Sequence, residues 1–414
     1  MKNWFVLIMV LMDWSPAAAQ QLVTFSNPSD MQRHEVVEIV NSERLRVGAS
    51  AGMKGIENSN HLVIRDAFGI EQPWQRTHDG KLLLYVSVRP HGEATYTIES
   101  GEPAPMKQYV FGKYYPERAD DISFENDRTG FRIYGPETQR RGEKAFGIDL
   151  WVKHSSELLV DSLYRLEFSK HPEIAELRKQ GKKDEAARLT TETSYHLDHG
   201  AGMDGYGVGP TLGCGTPALM VGDSICYPWC YEKYEILDNG PLRFTLRLDF
   251  GETVIGGMRV REHRLMTLDR GSNFCKMTVW YDGVERPLSL AAGLAMRTAD
   301  TESVIVEDNY VAYADPTIDP RRHNSQIYVA LLFPHKVDVI CTRPFAQPIG
   351  NNYGHALGIV AGYMGQPYTY YIGMGWSDFD VRSFEEWLLR IDQKNKGTRA
   401  PLSLLLDDSD SNRE

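Results

Sequence analysis

The stretch that decides the fold is Phe244-Thr245-Leu246-Arg247-Leu248-Asp249-Phe250, in which hydrophobic and polar residues alternate. Residues 258–265 and 276–281 continue this alternating pattern. The turn-forming pairs Asn239-Gly240 and Asp282-Gly283 stand next to these runs. A period of two residues is typical of β-strands, and such pairs are typical of tight hairpins. The sequence therefore predicts a mainly β protein.

Short strands are also predicted on the N-terminal side of this region. Residues 36–40, 62–66 and 82–88 are rich in β-forming residues and are separated by Gly, Asn, Asp or Pro. They predict a small N-terminal antiparallel β-sandwich over residues 20–105, which ends in the linker Gly101-Glu102-Pro103-Ala104-Pro105. A large β-domain is expected over residues 106–400.

Few helices interrupt the predicted strands. Residues 172–191 mix spaced apolar residues with many charges and predict one or two short surface helices. Residues 383–389 predict another helix, because Ser383 and the two glutamates that follow Phe384 form a helix-capping pattern. We expect residues 401–414 to be an acidic, disordered tail.

Residues 1–19 have the pattern of a secretory signal peptide, with Lys2, an apolar run from Trp4 to Met12, and small residues up to Ala19. A short buried helix is the alternative. Cleavage near Ala19 would make the protein periplasmic or secreted. No other stretch has the roughly 18 consecutive apolar residues of a membrane span, so no integral membrane segment is expected.

Composition limits the classes of partner. The chain has 414 residues and a formal net charge of −11, with 45 basic and 56 acidic residues, which argues against a nucleic-acid partner. The sequence has no Walker loop, His-Glu-x-x-His or Gly-x-Ser-x-Gly motif. Its five cysteines allow a Cys226–Cys230 disulfide or buried thiols, while zinc ligation lacks a second ligand pair.

The Gly-rich segment 195–215 is the first candidate site. It contains Tyr195, His196, His199, Asp204 and Tyr206, side chains that transfer protons or bind cations. Abundant glycine allows the backbone to approach a ligand closely. The alternative is a tight surface connection.

Residues 124–136 form a second candidate. On a strand, Arg132 and Tyr134 would share one face, and an arginine can bind a carboxylate through two hydrogen bonds. Glu125 and Asn126 precede them and are candidate substrate-binding residues. The alternative is an internal ion pair of Arg132 with Glu125 or Asp149.

A third cluster, residues 355–376, contains His355, Tyr363 and Trp376 as candidate sugar-binding residues. Aromatic rings stack on sugar C–H surfaces, although a core position is the more common role of such residues.

The chain resembles an exported bacterial family, DUF4861, over nearly the whole mature length. The resemblance rests on Glu125-Asn126-Asp127, Phe131-Arg132-Ile133-Tyr134-Gly135-Pro136, Gly147-Ile148-Asp149-Leu150-Trp151, the segment 195–209 and Tyr370-Tyr371-Ile372-Gly373-x-Gly375-Trp376. The resemblance implies a large β-domain similar to the galactose-mutarotase-like supersandwich, sugar ligands and a role in glycan utilisation.

The residue types favour β-elimination on a uronic-acid-containing oligosaccharide, by a dehydratase or lyase. Arg132 would neutralise the carboxylate, His196 or His199 would be the base, and Tyr195, Tyr206 or Tyr134 the proton donor. Alternatives are a mutarotase-like or other glycan enzyme, or a non-catalytic sugar-binding protein. No cofactor is expected with certainty, and a divalent cation near Asp198, His199 and Asp204 is left open.

Overall fold

The computed structural model describes residues 20–39, 46–47, 54–55, 61–316 and 325–406. The predicted signal peptide lies outside these residues. The described chain forms 27 strands and four α-helices, and strands hold 48% of the residues, so the prediction of a mainly β fold is confirmed. No helix in these ranges is both long and apolar enough to cross a lipid bilayer.

Six of the eight N-terminal strands form two facing sheets, and the other two, residues 46–47 and 54–55, pair with each other. Residues such as Val23, Leu84 and Ile98 fill the space between the facing sheets with fully buried side chains. The eight strands are β1 (Gln21–Ser26), β2 (Arg33–Ile39), β3 (Arg46–Val47), β4 (Lys54–Gly55), β5 (Leu62–Arg65), β6 (Trp74–Arg76), β7 (Leu82–Val88) and β8 (Glu93–Ser100). One sheet contains β1, β8 and β5 in that order, and the other contains β2, β7 and β6.

A five-stranded antiparallel sheet comes next in the chain. Its strands are β9 (Phe111–Tyr115), β10 (Asp121–Glu125), β11 (Gly130–Ile133), β12 (Asp149–Lys153) and β13 (Gly202–Asp204), in the order β13-β12-β11-β10-β9. Helix α1 (Pro136–Arg140) follows β11, while α2 (Val160–Lys179) and α3 (Lys183–Thr193) connect β12 to β13. The predicted helical stretch 172–191 is therefore two helices that start earlier and break near Gly181, whose φ is +75°.

The rest of the chain forms a sandwich of a five-stranded and an eight-stranded sheet. The first has the order β15-β14-β20-β25-β24 and the second β16-β17-β18-β19-β26-β23-β22-β21. The strands are β14 (Cys214–Val221), β15 (Ser224–Ile225), β16 (Tyr231–Asn239), β17 (Arg243–Ile255), β18 (Met258–Asp269), β19 (Phe274–Asp282), β20 (Leu288–Met296), β21 (Ile305–Val306), β22 (Tyr310–Asp315), β23 (Ile327–Leu332), β24 (Val339–Ile349), β25 (Asn352–Tyr363) and β26 (Tyr368–Trp376).

The main core lies between these sheets. In β17, Phe244, Leu246 and Leu248 are buried while Arg247 is exposed, as the alternation predicts. Helix α4 (Phe384–Arg399) packs its buried Trp387 on Phe274 of β19, with ring centroids 5.3 Å apart. Ser383 caps this helix by accepting a hydrogen bond from the amide of Glu386. The helix is twice as long as predicted because Trp387 and Ile391 anchor it on the sheet.

The C-terminal strand β27 (Ser403–Leu406) returns to the N-terminal sandwich and pairs antiparallel with β1. The prediction of a disordered tail from residue 401 is therefore wrong for this strand, because Leu404 and its neighbours add an apolar strand to the sheet edge. Residues 407–414 lie outside the described ranges.

All five cysteines are free thiols, with Cys214 and Cys275 buried, so of the two alternatives the structure has free thiols and not a Cys226–Cys230 disulfide.

Candidate functional site

The five-stranded sheet brings an arginine and two aspartates together on one face. Arg132 of β11 lies directly opposite Asp149 of β12, and Asp204 of β13 pairs with Trp151 one strand further on. The Nη2 atom of Arg132 contacts the Asp149 carboxylate and lies 2.8 Å from Oδ2 of Asp204. The hydroxyl of Tyr134 donates a 2.7 Å hydrogen bond to Asp149. The strand register therefore creates a buried ionic cluster.

This cluster has two cations and three carboxylates. Oδ2 of Asp121 on β10 lies 3.9 Å from both Nε of Arg132 and Nη1 of Arg118. Burial raises the pKa of Asp121 to about 7 against the pull of the two arginines, and burial also raises the pKa of Asp149. Burial alone would raise the pKa of Asp204, but Arg132 and His196 hold it below its ordinary value. Charge is therefore closely balanced here.

Several buried polar atoms of the cluster have no hydrogen-bond partner among the described residues. They are Nε and Nη1 of Arg132, both carboxylate oxygens of Asp204, Oδ2 of Asp121 and Nε1 of Trp151. Arg132 therefore lies at ion-pair distance from Asp204, but the two groups do not have the geometry of a hydrogen bond. Buried polar groups in native proteins are nearly always satisfied, so such a concentration marks a place where water or a ligand completes the network.

Arg118 reaches this cluster from a strained turn. The turn Pro116–Arg118 is followed by Ala119 and Asp120 with φ of +54° and +67°. Side chains other than glycine rarely adopt such angles, and strained residues of this kind concentrate at functional sites. Tyr231 holds the turn by donating to the carbonyl of Asp120. Arg118 is 23% exposed and donates a 2.6 Å hydrogen bond from Nε to the hydroxyl of Tyr195.

His196 lies at the outer edge of the cluster. Its side chain is 47% exposed, and Nδ1 lies 3.0 Å from Oδ2 of the buried Asp204, which is an ion-pair distance without hydrogen-bond geometry. The amide of Asp204 donates to the carbonyl of Tyr195, which ties this loop to β13. A carboxylate beside Nδ1 favours the tautomer protonated there and leaves Nε2 free to accept a proton. The arrangement therefore suits an acid–base histidine.

Tyr195 lies between His196 and Arg118. Its ring centroid is 4.3 Å from that of His196, and the ring packs on Trp151 and Tyr164. Burial raises the pKa of Tyr195 to about 12, so its hydroxyl keeps its proton at neutral pH. The hydroxyl of Tyr134, by comparison, donates its hydrogen bond to Asp149. Tyr195 is itself buried, at 2% exposure, and its hydroxyl accepts a hydrogen bond from the partly exposed Arg118.

Arg132 itself is buried and ion-paired, so the internal ion pair with Asp149 is the interpretation that the structure bears out. The idea that Arg132 neutralises a substrate carboxylate does not fit this structure, because the guanidinium is buried and its charge is already balanced by Asp121, Asp149 and Asp204 at ion-pair distance. Arg118 is the partly exposed cation that sequence reasoning missed. No local pattern singled it out, since its position depends on two consecutive residues with positive φ.

His199 and Asp198 of the Gly-rich segment make contacts outside the Arg132 cluster. His199 is exposed, with Nε2 3.2 Å from the carbonyl of Ser194. Asp198 accepts from the amides of Gly200 and Gly202 and pairs with His154 at 2.6 Å. Within the described ranges, no group of three or more His, Cys, Asp or Glu side chains forms a metal site. The question of a cation near Asp198, His199 and Asp204, which the sequence leaves open, therefore finds no assembled ligand set in these residues.

Tyr206 belongs to a different buried network. The guanidinium of Arg297 lies 5.5 Å from its ring centroid, and Arg297 pairs with Asp315. Arg132, His199, Tyr206 and His355 thus do not share one site. A single site that contains all four residues is therefore not supported.

The predicted sugar-binding residues of the third cluster are structural. Nε2 of His355 accepts a 3.1 Å hydrogen bond from the amide of Leu212, and burial lowers the pKa of His355 to about 4. Tyr363 and Trp376 are buried, and the Trp376 ring lies 4.5 Å from that of His154. None of the three offers a surface to a sugar.

Glu125 and Asn126 are structural as well. Glu125 accepts hydrogen bonds from the amides of Leu159 and Val160 at the start of α2 and pairs with the buried Lys153 at 2.7 Å. Asn126 donates to backbone carbonyls of Asp269 and Ser272. Both predicted substrate contacts are therefore wrong, because these groups are already occupied.

A family described as "Domain of unknown function (DUF4861)" matches residues 25–404. The chain belongs to this family. A relative of this DUF4861 chain, uncharacterized protein P7 of Formosa agariphila, is 26% identical over 306 residues, which cover 71% of each protein.

Two solved structures are similar at low sequence identity. They are an alpha-mannosidase from Enterococcus faecalis V583, with a TM-score of 0.49 and 9% identity, and a protein of glycosyl hydrolase family 38 from Enterococcus faecalis, with 0.47 and 8%. Each similarity covers 94% of the DUF4861 chain. The chain spans less than half the length of these two proteins, 46% and 47%.

Proposed function

We propose that this protein is a carbohydrate-active enzyme that acts by β-elimination on uronic-acid-containing oligosaccharides. One observation carries the proposal. An exposed histidine next to a buried carboxylate, His196 with Asp204, packs on the ring of Tyr195, whose hydroxyl accepts a hydrogen bond from the partly exposed Arg118. This arrangement offers a base, a proton donor and a cation at one edge of the sheet.

The reaction assigns one role to each group. Arg118 binds the uronate carboxylate and stabilises the charge that develops when the adjacent carbon loses its proton. His196 Nε2 accepts that C5 proton, and the C–H electron pair becomes the C4–C5 double bond. The C4–O4 bond breaks, and O4 leaves with a proton from the Tyr195 hydroxyl. A sugar on O4 makes this reaction a lyase step, and a hydrogen on O4 makes it a dehydratase step.

The test is ultraviolet absorbance of the unsaturated uronate product during incubation with a panel of uronic-acid oligosaccharides. We expect His196→Ala to lower turnover by about 10²–10⁴-fold, the usual contribution of a general base. Tyr195→Phe keeps the ring packing and removes only the hydroxyl, so it should also lower kcat.

His199→Ala is the matched control, because His199 is exposed in the same loop and contacts only a carbonyl in its own turn. It should leave turnover unchanged. No new absorbance from the unaltered protein with any member of the panel would refute β-elimination. Equal turnover of His196→Ala and the unaltered protein would refute the assignment of the base.

A further inference from the structure

A cleft of about 740 Å³ lies between the N-terminal sandwich and the outer face of the eight-stranded sheet. Its walls come from β2, from the outward-facing residues of β17, β18, β19 and β26, and from α4. A volume of this size is typical of ligand-binding pockets, which range over roughly 300–1,000 Å³. The residues of the His196 site do not line it.

Side-chain contacts between the two walls fix the shape of the cleft. Gln75 of β6 accepts hydrogen bonds from the amides of Leu242 and Arg243 and donates to the carbonyl of Arg243. The guanidinium of Arg243 also pairs with Glu38 of β2. On the other side, Arg33 donates to the carbonyl of Ala400 at the end of α4. The cleft is therefore a built feature of the fold.

Eight Lys and Arg side chains and five Asp and Glu side chains line the cleft. Three of the arginines pair with carboxylates outside the lining, Arg128 with Asp380, Arg270 with Asp127 and Arg390 with Glu386. The five carboxylates already have cationic or histidine partners. The pairs are Glu35 with Arg33, Glu38 with Lys81 and Arg243, Asp79 with Lys81, Asp269 with Arg243, and Asp238 with His78.

Lys276 and Lys394 are cations of the cleft that lack a direct ion-pair partner within the described ranges. Neither has a carboxylate within ion-pair distance among the residues placed by the structure. Lys276 on β19 lies directly opposite Tyr371 on β26, and Nζ of Lys394 on α4 lies 4.3 Å from the Tyr371 ring centroid. Burial lowers the pKa of Lys394 despite the opposing effect of Asp269 and Glu35.

We propose that this cleft binds an anionic oligosaccharide, with Lys276 and Lys394, on either side of Tyr371, holding a carboxylate or sulfate group. Threonine hydroxyls and the Gln393 amide in the same lining supply partners for sugar hydroxyls. The sugar part of this assignment rests on the proposed function, while the anion part rests on the cleft alone. The cleft then serves as a second binding site for the polysaccharide, separate from the reacting centre.

Calorimetric titration in a His196→Ala background tests the proposal, because binding is then measured without turnover. The ligands are a uronic-acid oligosaccharide, a sulfated oligosaccharide, a neutral oligosaccharide of the same length and inorganic sulfate. We expect the acidic oligosaccharides to bind and the neutral one to bind at least tenfold more weakly. The double variant Lys276→Gln with Lys394→Gln should bind the acidic oligosaccharides at least tenfold more weakly than the His196→Ala protein does.

Lys396→Gln is the matched control, because Lys396 lies on the same helix and pairs with Asp392 at 2.9 Å. It should leave the affinity unchanged. Unchanged affinity in the double variant, or no binding of either acidic oligosaccharide, would overturn the cleft assignment. If inorganic sulfate bound as tightly as the oligosaccharides, this would overturn the assignment of an oligosaccharide as the ligand. Binding without any turnover by the unaltered protein would instead overturn the proposed function and leave the cleft supported.

Discussion

Asp121 makes the stability of the large domain depend on pH in an unusual direction. The side chain is fully buried, and its pKa is raised by burial from 3.8 to about 7. In the unfolded chain this carboxyl ionises above about pH 4, while in the folded protein it holds its proton up to about pH 7. The folded state therefore binds more protons between these values, and stability falls as pH rises through this window.

The size of the effect follows from the shift. A difference of about three pKa units, at 1.36 kcal/mol per unit, corresponds to about 4 kcal/mol of unfolding free energy. This penalty is absent below about pH 4 and complete above about pH 7. Asp121→Asn removes the titrating group, and an asparagine oxygen can still accept the hydrogen bond that the Gly135 amide donates to Oδ1. The substitution should therefore remove this slope.

The assay is urea unfolding followed by tryptophan fluorescence at intervals from pH 4 to pH 8. Relative to the unaltered protein, Asp121→Asn should gain about 4 kcal/mol between the two ends of this range. Asp223→Asn is the control, because the Asp223 side chain is 96% exposed and should leave the slope unchanged. Parallel pH profiles for Asp121→Asn and the unaltered protein would show that the buried carboxyl is not the titrating group.

Of two further predictions, one concerns the His196 site and the other concerns pH dependence. Asp204→Asn should lower kcat by about a hundredfold or more, because His196 loses the carboxylate beside Nδ1. Asp198→Asn in the same loop should leave kcat unchanged, and equal kcat values for the two variants in steady-state assays would contradict the pairing of His196 with Asp204. His355→Gln should remove a rise in stability of about 3 kcal/mol between pH 4 and pH 6.5, because the folded imidazole, with a pKa of about 4, binds fewer protons there than the unfolded one. Urea unfolding across this range measures the change, and an unaltered slope would contradict a neutral, buried His355.

The alternation of β17 was sufficient to predict the fold class, because a strand with one buried face records its environment in every second residue. The extent of α4 was not predictable in this way. Its later turns are held by Trp387 and Ile391 against the sheet, a tertiary contact that local capping patterns do not show. The pairing of β27 with β1 joins residues nearly 400 positions apart and also leaves no local pattern.

The residue types of the candidate site could be predicted from the sequence, but the side chains that each residue contacts could not. Arg132 and Tyr134 do share a face, as strand periodicity predicts, yet the register that places Asp149 directly opposite decides that the arginine is neutralised. The same register, extended to β13, places Asp204 behind His196 and turns an ordinary exposed histidine into a candidate base. His355 shows the converse, since a single buried amide at Leu212 makes it structural.

The net charge of −11 is compatible with the proposed anion site, because long-range repulsion by the whole protein and short-range attraction by two lysines act over different distances. At physiological ionic strength charges are screened over about 8 Å, so the acidic surface acts weakly on a polyanion that already lies in the cleft. Within that distance a ligand in the proposed site meets Lys276 and Lys394, neither of which has a carboxylate within ion-pair distance among the described residues. An acidic protein that binds an acidic polysaccharide should therefore do so slowly, because long-range repulsion opposes the approach. Added salt should raise the association rate and, by screening the two lysines, also raise the dissociation rate.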